Sequence, residues 1–82
     1  MKLYLVTSQE YSHKPTVELV REATDAGVDM VQMREKNKSR AECIGLGRDL
    51  REICRQKNVK FIVNDEPGIA REIDADGVHL GQ

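Results

Sequence analysis

Gln32, Arg34 and Lys36 stand at every second residue. In an extended strand that spacing sends all three side chains to one face. A carboxamide, a guanidinium and an ammonium on one face suit a polar, anionic ligand. The apolar approach Gly27-Val28-Asp29-Met30-Val31 precedes them, so a buried strand runs straight into charge. The same grammar returns twice. Lys60-Phe61-Ile62-Val63 closes on Asn64-Asp65, and Gly77-Val78-His79-Leu80 closes on Gly81-Gln82. Three apolar runs, each ending in polar residues, predict one site at the carboxyl ends of parallel strands.

The elements that must position these residues follow from periodicity. Residues 3–7 form a first strand, apolar on both faces, as a buried parallel strand requires. Residues 9–14 form a polar loop. Pro15 opens a helix, where its missing N–H costs nothing. Val17, Val20, Ala23 and Thr24 share a helical face, with Leu19 and Ala26 beside it. Gly27 ends that helix as a left-handed cap, and a second strand spans 28–34. Ser39-Arg40-Ala41-Glu42 has capping-box spacing and opens a long helix to about residue 57. Its stripe is Cys43, Leu46, Gly47, Leu50, Ile53 and Cys54. Gly45 and Gly47 each weaken it by about 1 kcal/mol against Ala, which a close approach of helix to sheet would offset. Asn58 ends the helix, and a third strand covers 60–64. Asp65 caps a short helix with Pro67 in its first turn and Ile69, Ala70 and Ile73 inward. Asp74-Ala75-Asp76-Gly77 turns into a fourth strand, 78–80. The order is β-α-β-α-β-α-β in a single unit, residues 1–82, with no linker and no low-complexity stretch.

Size and composition exclude several classes. A complete (β/α)8 barrel takes about 250 residues and rarely fewer than about 200; this sequence has 82. Charged residues make up 33% and hydrophobic ones 39%, with mean hydropathy −0.56. That is a soluble balance. A net charge of −1 gives no broad basic surface for nucleic acid or membrane. Tyr4, Tyr11 and Phe61 are too few aromatics for a base-stacking platform. No apolar run approaches the ~20 residues of a membrane span, and the first residues are too short for a signal peptide. Cys43 and Cys54, three helical turns apart, lie about 16 Å from each other on one helix and cannot bridge. They read as buried small hydrophobes in a reducing cytoplasm.

Taken together, Val31-Gln32-Met33-Arg34-Glu35-Lys36, Ile62-Val63-Asn64-Asp65 and Ala75-Asp76-Gly77-Val78-His79-Leu80-Gly81-Gln82 resemble the thiamine-phosphate synthase family, in its order and at its approximate spacing. The likeness runs from Tyr4 to Gln82 and corresponds to the amino-terminal part of the family's fold. It implies an α/β fold: a partial (β/α)8 TIM barrel of about four parallel strands with three intervening helices. The implied activity joins hydroxymethylpyrimidine diphosphate to thiazole phosphate and releases diphosphate, with Mg²⁺. By resemblance, Gln32, Arg34, Lys36 and Asn64 bind the pyrimidine diphosphate. Asp65 ligates Mg²⁺, and Gln82 closes the family's Gly-Gln pair. No residue is assigned as a catalytic acid or base. Met33 stands where Leu is common, and Glu66-Pro67-Gly68 replaces a more usual Arg-Val-Asp.

The physics of the reaction is consistent with that set. A departing diphosphate gathers negative charge, which Arg34, Lys36 and a hard cation at Asp65 would stabilise. Without the resemblance, Arg34 and Lys36 read as solvated strand-end charges and Asn64 as a turn residue. Asp65 then reads as a helix cap. His79 reads as a hydrogen-bonded core histidine, His13 as a loop residue, and Glu35 as an outward structural one. The charges of the long helix (Arg48, Asp49, Arg51, Glu52, Arg55) read as a solvated face. Tyr4 or Leu3 points into the barrel mouth. Two other functions compete: a thiazole tautomerase-like barrel, which needs no diphosphate site, and a truncated, non-catalytic half-barrel. In either half-barrel case one sheet face lies open. Self-association through that face and inactivity of the chain alone are the expectations.

Overall fold

The computed structural model describes residues 2–7 and 14–80. Residues 8–13, where most of the expected polar loop and His13 fall, and the Gly81-Gln82 pair lie outside the described residues. The elements are β1 (Tyr4–Thr7), α1 (Thr16–Asp25), β2 (Met30–Met33), α2 (Arg40–Gln56), β3 (Lys60–Asn64), α3 (Pro67–Glu72) and β4 (Gly77–His79). The four strands are parallel and lie in chain order, β1-β2-β3-β4. Parallel neighbours need long crossovers, and each helix supplies one.

All three helices bury their apolar stripes against one face of the sheet. That face presents Thr7, Val31, Met33, Phe61 and Val63, all buried. Against it pack Val20 from α1, Cys43, Leu50, Ile53 and Cys54 from α2, and Ile69, Ala70 and Ile73 around α3. The expected stripe of α3 is the observed one; in α2 Cys43, Gly47, Leu50, Ile53 and Cys54 are buried, while Leu46 is half-buried against them. In α1 the buried residues are Thr16, Val20 and Thr24. The Thr24 hydroxyl donates within its own helix, to the carbonyls of Val20 and Arg21. Burying that hydroxyl therefore leaves no polar atom unmatched.

The capping box is formed: Ser39 Oγ accepts from the Glu42 N–H, and Glu42 Oε1 accepts from the Ser39 N–H. These bonds hold the Glu42 carboxyl below its usual range. Gly27 adopts φ +99° and Asn58 φ +57°, so both helix ends close in the left-handed region. Gly47 lies where α2 packs closely on Met33 of β2 and on Ile73. A Cβ there would fall 2.6 Å from Ile73 Cδ1 and 3.3 Å from Met33 Cε. Gly45 has nothing within 4 Å and makes no such approach.

Two aspartates register the strands at their amino ends in the same way. Asp29 and Leu3 exchange two hydrogen bonds, Asp29 N to Leu3 O and Leu3 N to Asp29 Oδ2. Asp76 and Phe61 repeat the exchange, Asp76 N to Phe61 O and Phe61 N to Asp76 Oδ2.

Several expectations need correction. Pro15 is the N-cap of α1 rather than its first helical residue. Glu66, not Asp65, is the N-cap of α3, and no side chain caps that helix. Asp65 instead sits at φ +62°, in the left-handed region that Asp tolerates better than most residues. β2 stops at Met33, so strand alternation does not by itself orient Arg34 and Lys36. The first strand is not buried on both faces: Tyr4 and Val6 are exposed on the face opposite the helices. Tyr4, in register with Met30, and not Leu3, has the parity of that open face.

Candidate functional site

The open face is where Gln32 belongs. In the parallel register Val6, Gln32, Ile62 and Gly77 form one row, and Asn64 with His79 forms the row toward the carboxyl ends. Gln32 Nε2 donates to Asn64 Oδ1 at 2.9 Å, bridging β2 and β3. Asn64 Nδ2 in turn donates to Asp65 Oδ2 at 3.1 Å. The Asp65 N–H donates to the His79 carbonyl at 2.7 Å, which ties the β3 turn to β4. His79 Nδ1 lies 3.4 Å from Asn64 Oδ1. So three strand ends meet through one chain of polar contacts.

Beyond this row the strands open onto a cavity of about 450 Å³. Arg34, Glu35, Lys36, Lys38 and Arg40 line it from the β2–α2 segment, with Cys43 below. Asn64, Asp65, Glu66 and Ile69 line the other side. Four cationic side chains thus share the cavity with three carboxylates. None of Arg34, Lys36, Lys38 and Arg40 is ion-paired to another described residue. Burial, with Glu35 nearby, pushes the Cys43 thiol up, so it is a wall rather than a nucleophile.

A second charged cavity, about 240 Å³, lies at the opposite ends of the strands, lined by Arg51, Arg55, Asn58, Val59, Lys60 and Asp76. Its charges are largely engaged. Arg51 binds Asp74, Arg55 binds Glu52, and Asp76 holds the Phe61 N–H. That rim has a structural account; the carboxyl-end rim leaves cations for a ligand.

The structure therefore brings Arg34, Lys36, Asn64 and Asp65 to one cavity and links Gln32 to it through Asn64. Two expectations about neighbours change. Glu35 is on the cavity wall, where its carboxylate accepts from the Thr7 hydroxyl at 3.0 Å. His79 is exposed on β4 within these 82 residues rather than buried. Lys38 and Arg40 line the cavity as well, beyond the residues the sequence pattern points to. The signal for Lys38 was present, since it extends the every-second-residue series after Lys36. Arg40 continues the same series, but in sequence it reads first as the opening residue of a helix.

For a hard cation, the cavity offers the carboxylates of Asp65 and Glu66. Among the described residues no group of three or more His, Cys, Asp or Glu is placed to hold a metal by itself. Mg²⁺ takes one or two carboxylates and completes its shell with phosphate oxygens and water. This donor set fits Mg²⁺ arriving with a phosphate ligand.

Comparison with known proteins identifies the family and the fold. The thiamine-phosphate synthase of Haloarcula marismortui is 50% identical over 80 residues, covering 96% of this chain and 38% of its own. The bifunctional thiamine biosynthesis protein ThiED of Geobacter sulfurreducens is 46% identical, covering 98% of this chain and 16% of its own. The solved thiamine phosphate pyrophosphorylase of Pyrococcus furiosus superposes with a TM-score of 0.86 at 40% identity, over 94% of this chain and 37% of that one. This chain spans about two fifths of the length of the single-function relatives, and its four strands and three helices are that part of a TIM-barrel fold. The sequence pattern of the family described as thiamine monophosphate synthase covers residues 3–82, and the chain belongs to that family.

Proposed function

We propose that the carboxyl-end cavity is the pyrimidine-diphosphate half of a thiamine-phosphate synthase site. One observation carries the reading. Gln32, Arg34, Lys36, Asn64 and Asp65 come from two separate strand ends, yet they converge on one rim. In this reaction a carbon–oxygen bond to diphosphate breaks and the thiazole phosphate takes its place. Arg34 and Lys36 hold the diphosphate oxygens and stabilise the charge that builds on them. Gln32 and Asn64 present a carboxamide edge to the heterocycle and orient it. Asp65, with Glu66 beside it, is the carboxylate that would hold Mg²⁺. When bound, that ion supplies further charge neutralisation at the leaving diphosphate.

Inorganic diphosphate is the test ligand. The reading expects it to bind more tightly with Mg²⁺ present, with Arg34→Ala weakening both forms. Asp65→Asn, which Asn accommodates at this backbone angle, should remove only the Mg²⁺ enhancement. Unchanged binding by Arg34→Ala refutes the assignment.

The thiazole tautomerase-like reading is weaker, because it leaves the Gln32, Arg34 and Lys36 set without a use. For the 82 residues on their own, we propose no turnover and self-association through the open sheet face. The exposed Tyr4 and Val6 on that face support this. Among the described residues no helix is long and apolar enough to cross a membrane. A small-molecule, cytoplasmic role accords with that reading.

A further inference from the structure

We propose that Thr7 is a positioning residue for the diphosphate site, acting through the Arg34–Lys36 segment. The inference rests on the diphosphate reading above and adds a residue from a third strand to it. Thr7 ends β1 and is 3% exposed. Its Oγ1 accepts the Arg34 N–H at 3.2 Å and donates to Glu35 Oε2 at 3.0 Å. The last backbone pair between β1 and β2 is Thr7 with Met33. The side chain therefore continues the strand pairing one residue beyond the sheet, into the segment that carries the site's cations.

A hydroxyl donates one hydrogen bond while accepting others. Valine has the same shape and does neither. The two contacts act on the two residues that precede Lys36. One fixes the backbone at Arg34, and the other draws the Glu35 carboxylate, the like charge to an incoming anion, onto β1. Between β2 and α2 no regular structure holds residues 34–38, so an unanchored segment would have to be ordered by the ligand. That ordering cost would appear as lost affinity.

The test compares wild type, Thr7→Val and Thr7→Ser by calorimetry with inorganic diphosphate and Mg²⁺. Amide hydrogen exchange at Arg34 is followed in the same samples. The expected result is a Thr7→Val protein that binds roughly ten-fold more weakly and loses Arg34 amide protection. Thr7→Ser should restore both. A Thr7→Val protein that binds as wild type does, while Arg34→Ala still fails to bind, overturns the positioning role and leaves the diphosphate reading standing. A wild-type protein that does not bind diphosphate overturns both. Should Thr7→Val fail to fold, the Arg34 amide in wild type decides: exchange there at the rate of an unprotected amide overturns the proposal.

Discussion

Gln32 and Asn64 sit thirty-two positions apart in the chain and are joined by a 2.9 Å hydrogen bond between their carboxamides. Parallel register makes this possible: Gln32 faces Ile62 across β2 and β3, and Asn64 is the next residue outward on the same face. The bond fixes what Asn64 has left for a ligand. Its oxygen accepts from Gln32 and one N–H is given to Asp65, so the second N–H of the carboxamide remains.

A double-mutant cycle on Gln32→Ala and Asn64→Ala measures this link. The expected coupling is about 0.5–1.5 kcal/mol by urea unfolding, the net worth of one partly buried hydrogen bond. Additive effects would mean that the two carboxamides act independently.

Gly45 and Gly47 share a helix and a residue type but differ in surroundings. Gly45→Ala should stabilise by roughly 0.5–1 kcal/mol, because Ala is the better helix former and the space is open. Gly47→Ala gains the same propensity, yet its Cβ meets Ile73 and Met33. Overpacking costs typically ~1–3 kcal/mol, so it should be neutral to destabilising. Thermal unfolding of the pair settles the matter; equal stabilisation by both would remove the close approach of α2 to the sheet.

Acid should loosen the start of α2. Ser39 holds the Glu42 carboxyl below its ordinary value of 4.5. A carboxyl depressed in the folded state contributes stability above its unfolded pKa and loses it as pH falls through the folded one. Wild type should therefore exceed Glu42→Gln in stability at pH 7. The gap should close as pH drops below about 4.5. A gap independent of pH would contradict the charged capping box.

The open face makes a prediction of its own. Tyr4 is 62% exposed and Val6 49% exposed on a parallel sheet that helices cover on one side only. Parallel sheets are normally covered on both. Sedimentation of the purified 82 residues should show concentration-dependent association, weakened by Tyr4→Lys with Val6→Lys. A monomer at all concentrations would show that the face tolerates water.

Much of this was legible in the chain. The three-and-four spacing of Cys43, Leu50, Ile53 and Cys54 marked the buried stripe of α2, and 60–64 are the bounds of β3. Ser39 and Glu42 announced their capping box. Arg34, Lys36, Asn64 and Asp65 each stand after an apolar run in the sequence, and the structure gathers them around one cavity. What failed was geometry decided between elements. Asp65 looked like a cap, but the turn that returns its N–H to the His79 carbonyl places it in the left-handed region. His79 looked buried, but its exposure depends on what lies beside β4, which is a property of the sheet and not of the residue. Alternation seemed to orient Arg34. Yet β2 ends before it, and contacts from Thr7 hold that segment instead. No local pattern in β1 encodes a partner twenty-seven residues away.

The most direct test is a residue-resolved NMR titration of the chain with inorganic diphosphate and Mg²⁺. The account predicts saturable shifts at Gln32, Arg34, Lys36, Asn64 and Asp65, at the carboxyl ends of β2 and β3. Shifts confined to Arg51, Arg55 and Lys60 at the opposite rim, or no saturable shifts at all, would contradict it.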